Sequence, residues 1–366
     1  VRVVHVIGSL GVGGAERMLE RLCVRHRQDG RSDPCVVSLT DAGPIGVRLR
    51  AQGIETHALG AEGPAAALVA LARLVPLLRR LRPDIVQTWL YHADLIGGIA
   101  ARLSGRGKLV WNLRCSDPGA NPRTRALVRV NAVLSRALPD AILCCGEEAR
   151  RAHVALGYDP RRMTVLPNGF EVGHFQPVSG RHSGGHRFVA IGRDDPLKNF
   201  ALFVEAAGIV AARDPAARFV LLGRGVADNP DYRRRIAALG LVDRFTLGDQ
   251  VDDVRQPLAE ADIFCSTSRH EGFPNVLCEA MLMGVPCVAT DAGDSALIVG
   301  DTGRIVREAG AATFAEAMLA LSRDVARDRA AMAAAARQRI VAHFEIGAVA
   351  ERYAGFYDAL LRDGGR

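Results

Sequence analysis

Glu271 and Glu279 lie eight positions apart in the stretch STSRHEGFPNVLCEAMLMGVPCVATD, which runs from Ser266 to Asp291. Two carboxylates so placed invite an acid–base reading. Between them, Gly272, Phe273, Pro274 and Asn275 form a turn that opens a helix, with Pro274 fitting its first position and Gly284 and Pro286 its end. Arg193 and Lys198 frame a second turn, Gly192-Arg193-Asp194-Asp195-Pro196-Leu197-Lys198-Asn199. Both cations stand at the mouth of the next helix, where the helix dipole disfavours them. Positive charge there makes sense with an anion between the two, although a solvated loop is the plainer alternative. Of 47 basic residues only Lys108 and Lys198 are lysine, so a lysine suggests a need for a compact ammonium; Lys108 warns that chance leaves one too.

Two further loops carry candidates. Gly8-Ser9-Leu10-Gly11-Val12-Gly13-Gly14 follows an apolar strand and precedes a helical pattern, which is how α/β proteins bring backbone amides against phosphate. The spacing is not a clean G-x-G-x-x-G, and a ligand-free tight turn is the alternative. His92, in Trp89-Leu90-Tyr91-His92-Ala93-Asp94, follows another strand at the edge where ligands bind, yet a lone histidine is more often structural. The segment Arg114 to Arg123 is long, polar and rich in turn formers, as binding loops often are.

Strands and helices alternate throughout, which predicts parallel, doubly wound sheets. Strands are predicted near 1–7, 35–39, 55–59, 84–88, 109–113, 141–144 and 163–166, and again near 187–191, 219–222, 245–247, 263–265 and 285–289. Gly300 to Gly303 reads as a turn, and the remainder as helices over 311–322, 324–343 and 346–361. Pro167 to Gly185 is the best linker, with Pro177, Ser179 and several glycines. The chain of 366 residues therefore divides into a domain over 1–175 and a second over 185–345.

The first 175 residues hold 24 basic against 15 acidic residues, a net +9, and the rest a net −2. Basicity in the first half favours an anionic partner there, a phosphate-bearing substrate or an acidic membrane surface; a solvated arginine-rich face is equally compatible. Helix 65–82 has an apolar face and an arginine cluster that suit a membrane surface, although packing on the sheet is commoner. Nucleic acid fits poorly, with 5% aromatic residues and no basic stretch interleaved with them. No apolar run is long enough to span a membrane and no secretory signal is visible. The eight cysteines show no metal-like spacing and suggest reduced thiols in a cytoplasmic protein.

The chain resembles glycosyltransferase family 4, retaining nucleotide-sugar transferases of the GT-B fold. EGFPNVLCEAMLMGVPCVATD matches that family's E-x7-E element and its A-M-x-x-G-x-P continuation; IGRDDPLKN, GSLGVGGAE and LPNGFEVGHFQP match its basic turn, glycine loop and interdomain linker. Glu171 stands near where an aspartate is usual. The resemblance implies an α/β GT-B fold, two facing doubly wound Rossmann-like domains with a cleft between them. The N-terminal domain would lie on the acceptor side, and helix 346–366 would pack back on it. It also implies that Arg193 and Lys198 hold the donor diphosphate, that Glu279 accepts from the ribose hydroxyls and that Glu271 contacts the transferred sugar. The amides of Gly272 and Phe273, with Pro274 and Asn275, would complete donor binding, Gly13 and Gly14 would approach from the other side, and His92 would lie beside acceptor and donor sugar.

The resemblance thus implies hexosyl transfer from a UDP-sugar to a glycan or lipid-linked acceptor, with no metal cofactor. A peripheral protein at the inner face of the membrane is the accompanying expectation. Two arginine and lysine cations with helix amides supply the charge that a departing diphosphate needs. The alternatives are a sugar-nucleotide epimerase or phosphorylase on the same fold, a binding protein without catalysis and, on the glycine loop alone, an NAD-dependent oxidoreductase.

Overall fold

A computed structural model describes residues 1–119, 121–177, 186–308 and 310–362. Part of the expected linker (178–185), Ala120 in the 114–123 loop and the last four residues of the expected terminal helix lie outside the described residues. Two compact units emerge, one comprising Val1–Gly169 and Ile346–Arg366, the other Phe170–Glu345.

The first unit runs β1 (Arg2–Ile7), α1 (Gly14–Gln28), β2 (Asp33–Ser38), α2 (Gly43–Ala51), β3 (Glu55–Ala58), α3 (Ala66–Leu81), β4 (Ile85–Trp89), α4 (Tyr91–Ser104), β5 (Lys108–Leu113), α5 (Pro122–Leu134), β6 (Ala141–Cys144), α6 (Glu147–Ala155) and β7 (Met163–Val165). Its strands form one parallel sheet in the order β3-β2-β1-β4-β5-β6-β7. The central strands β1, β4 and β5 are buried along almost their whole length, as a parallel sheet covered on both faces by helices is, with mostly apolar side chains and a few buried polar ones such as Gln87, Thr88 and Asn112. The order reverses between β1 and β4, which pair from Val3–Ile85 to Ile7–Trp89. The glycine loop and the Leu90–His92 turn therefore leave the sheet side by side at its topological switch point, where open α/β sheets take ligands.

The second unit runs β8 (Arg187–Ile191), α7 (Phe200–Arg213), β9 (Arg218–Leu222), α8 (Pro230–Ala238), β10 (Phe245–Gly248), α9 (Arg255–Ala259), β11 (Ile263–Ser266), α10 (Asn275–Leu282), β12 (Cys287–Thr290), α11 (Ser295–Val299), β13 (Arg304–Val306), α12 (Ala311–Arg327) and α13 (Arg329–Phe344). Its parallel sheet has the order β10-β9-β8-β11-β12-β13, reversing between β8 and β11. The core centres on Phe188, Phe203, Phe219 and Phe245, whose ring centroids lie 5.5 to 6.3 Å apart in stacked and edge-on pairs.

The last helix, α14 (Ile346–Arg362), belongs to the first unit. There His26 Nε2 donates to the Ala350 carbonyl at 2.8 Å, and the buried Tyr357 hydroxyl donates to Gln87 Oε1 at 2.6 Å. The two units meet in sequence at Gly169 and Phe170, short of the expected 175. Turn formers mark the segment, but contacts set the boundary. The Phe170 amide donates to the Phe344 carbonyl at 2.9 Å, and its ring stacks on Phe273 at 6.3 Å.

Two sequence-based expectations need correction. Residues beyond the Gly300–Gly303 turn include a strand, β13, which pairs in register with β12 from Val288–Arg304 to Thr290–Val306. Three residues are too few to show periodicity. Helix α12 continues to Arg327 and α13 begins at Arg329, because Asp328, not Asp324, caps the latter by accepting from the Ala331 amide.

Candidate functional site

In the second unit, Arg193 and Lys198 leave the carboxyl end of β8. Gly223 makes this possible: its φ of 156° and the Gly192 carbonyl leave no room for a Cβ, which would lie 1.7 Å from that oxygen. The turn is then organised by two aspartates that sequence reasoning did not single out. Asp194 accepts from Asn229 Nδ2 and the Tyr232 hydroxyl, both at 2.7 Å, tying the turn to the cap and first turn of α8. Asp195 accepts from the Leu197 amide at 3.0 Å and from Arg193 Nη2 at 2.6 Å. That backbone bond, with the guanidinium second, holds its carboxyl below the usual range. An Asp-x-Leu turn before a helix was the available signal.

Lys198 meets the other segment of the site. Its Nζ lies 2.5 Å from Glu271 Oε1, which also accepts from Ser268 Oγ at 2.7 Å. The segments themselves are cross-linked: Thr267 Oγ1 donates to the Lys198 carbonyl at 2.9 Å and the Arg269 amide to the Leu197 carbonyl at 2.7 Å. Gly293, φ 59°, lies so close that a Cβ would stand 2.5 Å from the Glu271 carbonyl oxygen. The structure thus brings Lys198 and Glu271 together and places Arg193 on the same turn.

Pro274 precedes α10 as its cap residue, so Asn275, one position later than expected for Pro274, opens the helix. Glu279, fifth in α10, is 3% exposed and lies on the buried side of the helix. The Phe273 ring is buried between Phe170 and Phe344, leaving only backbone from that residue for a ligand. Gly272 is half-buried.

In the first unit, Gly13 caps α1 and Gly14 is its first residue. A Cβ on Gly8 or Gly11 would meet nothing within 4 Å, so the loop keeps open space beside it. His92 lies in the first turn of α4, exposed between the buried Tyr91 and Ala93. Arg114, by contrast, is occupied structurally. It donates to Asn112 Oδ1 at 3.3 Å, to the Tyr353 hydroxyl at 3.4 Å and to Asn168, and lies 5.2 Å from the Trp89 ring centroid.

The sequence showed no metal-like spacing, yet folding brings the ligand atoms of Cys35, Glu55 and His57 within 4.8 Å of one another on β2 and β3. Glu55 there is engaged by Arg2 Nη2 and by His57 Nε2, each at 2.8 Å, and burial raises the Cys35 thiol to about 12. Those bonds account for the cluster without an ion. Among the described residues none of the eight cysteines forms a disulfide, and no helix is long and apolar enough to cross a membrane.

Comparison with known proteins fits this geometry. The family model for Glycosyltransferase Family 4 matches residues 12–174, and that for Glycosyl transferases group 1 matches residues 185–324. The Vi polysaccharide biosynthesis protein VipC/TviE of Salmonella typhi is 25% identical, over 84% of this chain and 62% of its own length. The UDP-Gal:alpha-D-GlcNAc-diphosphoundecaprenol alpha-1,3-galactosyltransferase of Escherichia coli is 25% identical, over 61% of each chain. The chain thus spans about six tenths of the length of these curated relatives. Among solved structures, Anabaena HepE in complex with UDP superposes with a TM-score of 0.84 at 21% identity, over 98% of this chain and 100% of that one. Sucrose-phosphate synthase from Thermosynechococcus elongatus gives 0.79 at 16% identity, over 99% and 100%. The fold is GT-B, and the chain belongs to glycosyltransferase family 4.

Proposed function

We propose that the protein is a retaining, metal-independent hexosyltransferase that takes a UDP-sugar donor and a glycan or lipid-linked acceptor in the synthesis of cell-surface polysaccharide or glycoconjugate. One observation carries this reading: Arg193, Lys198 and Glu271 converge where the second sheet reverses its strand order. Support for the donor comes from the UDP in the HepE structure and the UDP-Gal in the E. coli relative's name, and for the acceptor from the diphosphoundecaprenol there.

Before donor binds, both cations are held by carboxylates, Arg193 by Asp195 and Lys198 by Glu271. A diphosphate offers each a stronger partner. Its arrival transfers Lys198 to phosphate and frees Glu271 to accept from the sugar's hydroxyls, while Glu279 serves the ribose. Gly272, Phe273, Pro274 and Asn275 contribute backbone at the start of α10, and Gly13 and Gly14 backbone at the start of α1. His92 is assigned to the acceptor and the transferred sugar. The bond from the anomeric carbon to the β-phosphate oxygen breaks, that to the acceptor oxygen forms on the same face, and the acceptor proton passes to the leaving phosphate. Arg193 and Lys198 stabilise the developing charge, so added metal is not required.

The first test is thermal melting with nucleotides and nucleotide sugars. UDP raises the melting temperature, and Lys198→Ala removes most of that shift; no shift with any nucleotide overturns the donor assignment. Transfer to a lipid-linked acceptor then proceeds in excess EDTA with retention in the product. A covalent Glu271 glycosyl adduct rejects the front-face step. Epimer formation from donor alone or phosphate-dependent sugar release selects the epimerase or phosphorylase reading, and bound nicotinamide absorbance the oxidoreductase.

Peripheral contact with the inner face of an anionic membrane belongs to the same proposal. It is supported by the basic first unit and a recess of about 400 Å³ lined by His57, Leu59, Arg73, Leu77 and Arg80. Failure to sediment with anionic vesicles rejects it.

A further inference from the structure

Among the described residues three non-glycine residues have positive φ: Arg82 (φ 48°), Asn199 (φ 50°) and Leu90 (φ 71°). The first two have ψ of 56° and 44° and sit in the ordinary left-handed well, which asparagine in particular tolerates. Leu90 differs, with ψ 159°. That combination is open essentially to glycine alone, and a branched L side chain held in it is strained. Such strain persists only where the surroundings over-determine the backbone.

The surroundings of Leu90 do so. Its amide donates to the Asn112 carbonyl on β5 at 3.2 Å, and its own carbonyl accepts the first helical bond from the Asp94 amide at 2.9 Å. Across the turn, Thr88 Oγ1 on β4 donates to Asp94 Oδ1 on α4 at 2.5 Å, a clasp between two fully buried side chains. Tyr91 is fixed at both ends. Its carbonyl accepts from Asn131 Nδ2 on α5 at 2.9 Å, and its hydroxyl lies 2.8 Å from His153 Nε2 on α6. Because His153 Nδ1 must donate to the Ala149 carbonyl at 2.7 Å, Nε2 is the acceptor and the tyrosine the donor. The Cys115 thiol, from the loop after β5, donates to the same phenolic oxygen at 3.2 Å. These anchors are buried except Cys115, which like Leu90 itself is half-buried, and the exposed side chain of the turn is His92.

We infer that Leu90 is a strained elbow, held by the Thr88–Asp94 clasp and the anchored Tyr91, whose role is to aim His92 at the reacting groups. Leu90, Thr88, Asp94 and Tyr91 are positioning residues; none touches substrate. The inference rests on the reading of His92 as an acceptor-side residue. If the clasp is broken, Leu90 relaxes to negative φ and the Tyr91–His92 peptide swings with it.

Glycine supplies a specific test, because it adopts the elbow conformation without strain. Thr88→Val removes the clasp's donor at nearly constant volume. It lowers kcat for sugar transfer by about a hundredfold, the effect of misplacing a group by an ångström, and leaves KM for the UDP-sugar unchanged. Thr88→Ser, which keeps the hydroxyl, retains kcat. Adding Leu90→Gly to Thr88→Val returns most of the lost kcat and returns the His92 ring signals, followed by NMR of ¹⁵N-histidine-labelled protein, toward their original positions. Should Thr88→Val fail to fold, Tyr91→Phe with and without Leu90→Gly carries the same cycle. A Thr88→Val variant with full kcat, or a double variant no better than the single one, overturns the inference. His92→Ala separates the two failures: full kcat in that variant removes the reading of His92 itself, whereas an inactive His92→Ala beside a fully active Thr88→Val removes the elbow alone.

Discussion

The two candidate cations of the second unit, Arg193 and Lys198, are held in ion pairs and are incompletely buried. Arg193 is 59% exposed against Asp195, and Lys198 is 30% exposed against Glu271. The candidate groups of the first unit lean on neutral, buried hydrogen bonds, with Tyr91, Asn131 and His153 all shut from solvent. Partly hydrated ion pairs are weak and are exchanged readily for a better partner. Buried hydrogen bonds leave an unsatisfied group when broken, so they fix geometry. On the proposed function, the second unit hands charge to a ligand and the first keeps a side chain where it is.

Lys198→Ala tests this division most severely. Loss of one group that stabilises transition-state charge lowers kcat by about 10²–10³-fold, or about 2.7–4 kcal/mol. Lys198→Arg does not restore it, since a planar fork replaces a compact ammonium. Steady-state kinetics and UDP melting shifts check both. If the comparison holds, His92→Ala keeps the UDP shift that Lys198→Ala loses; loss of the shift in both variants breaks it.

Tyr91→Phe comes next. It strips the donor from His153 Nε2 in a site where burial already lowers the imidazole's proton affinity. The expected destabilisation is about 1–3 kcal/mol by denaturant titration. A loss near zero means that the first unit's anchors are no firmer than surface pairs.

Asp94 sharpens the contrast through pH. Burial raises its carboxyl from 3.8 to about 8, opposed by the Thr88 hydrogen bond. The folded protein therefore binds a proton that the unfolded chain releases, and stability falls as pH rises between those two values, levelling off above the upper one. The slope contributed is at most about 1.4 kcal/mol per pH unit. Asp94→Asn abolishes it, so the melting temperature of the wild type relative to that variant declines from about pH 5 to about pH 8. A constant difference would show that Asp94 is ionised when folded.

Much of this was legible in the sequence, and what was not has physical reasons. Strand runs such as Val3 to Ile7 and Phe188 to Ile191 are apolar enough to announce themselves, whereas β13 is three residues ending in a buried valine after a glycine turn. Glu271 and Lys198 were nameable from their motifs, but not that they pair with each other, because 73 positions separate them. The segment opening at Arg114 read as a binding loop, but sequence did not reveal that the Arg114 guanidinium donates to Asn112, Asn168 and Tyr353. Leu90 was invisible for the opposite reason: leucine is the wrong residue for its backbone, so local preference points away from the elbow that tertiary contacts impose.

Asp195→Asn carries the smallest expected effect and the finest discrimination. Arg193 is too exposed for its ion pair to contribute more than about 1 kcal/mol to folding, and asparagine still accepts from the Leu197 amide, so the turn that presents Lys198 is retained. What the change removes is the anion that holds Arg193 over the turn when no donor is present. Two effects then oppose one another in donor affinity. An unpaired Arg193 is freer to meet phosphate, which strengthens binding, but it also loses the ordering that brings it to the right place, which weakens binding. The melting temperature of the free protein stays nearly unchanged either way. Donor KM measured against ionic strength separates the two: tighter binding at low salt means that Asp195 acts as a competing counterion, and weaker binding at every salt concentration means that it acts as a guide. Only the first outcome agrees with a second unit whose charges are stored in exchangeable pairs.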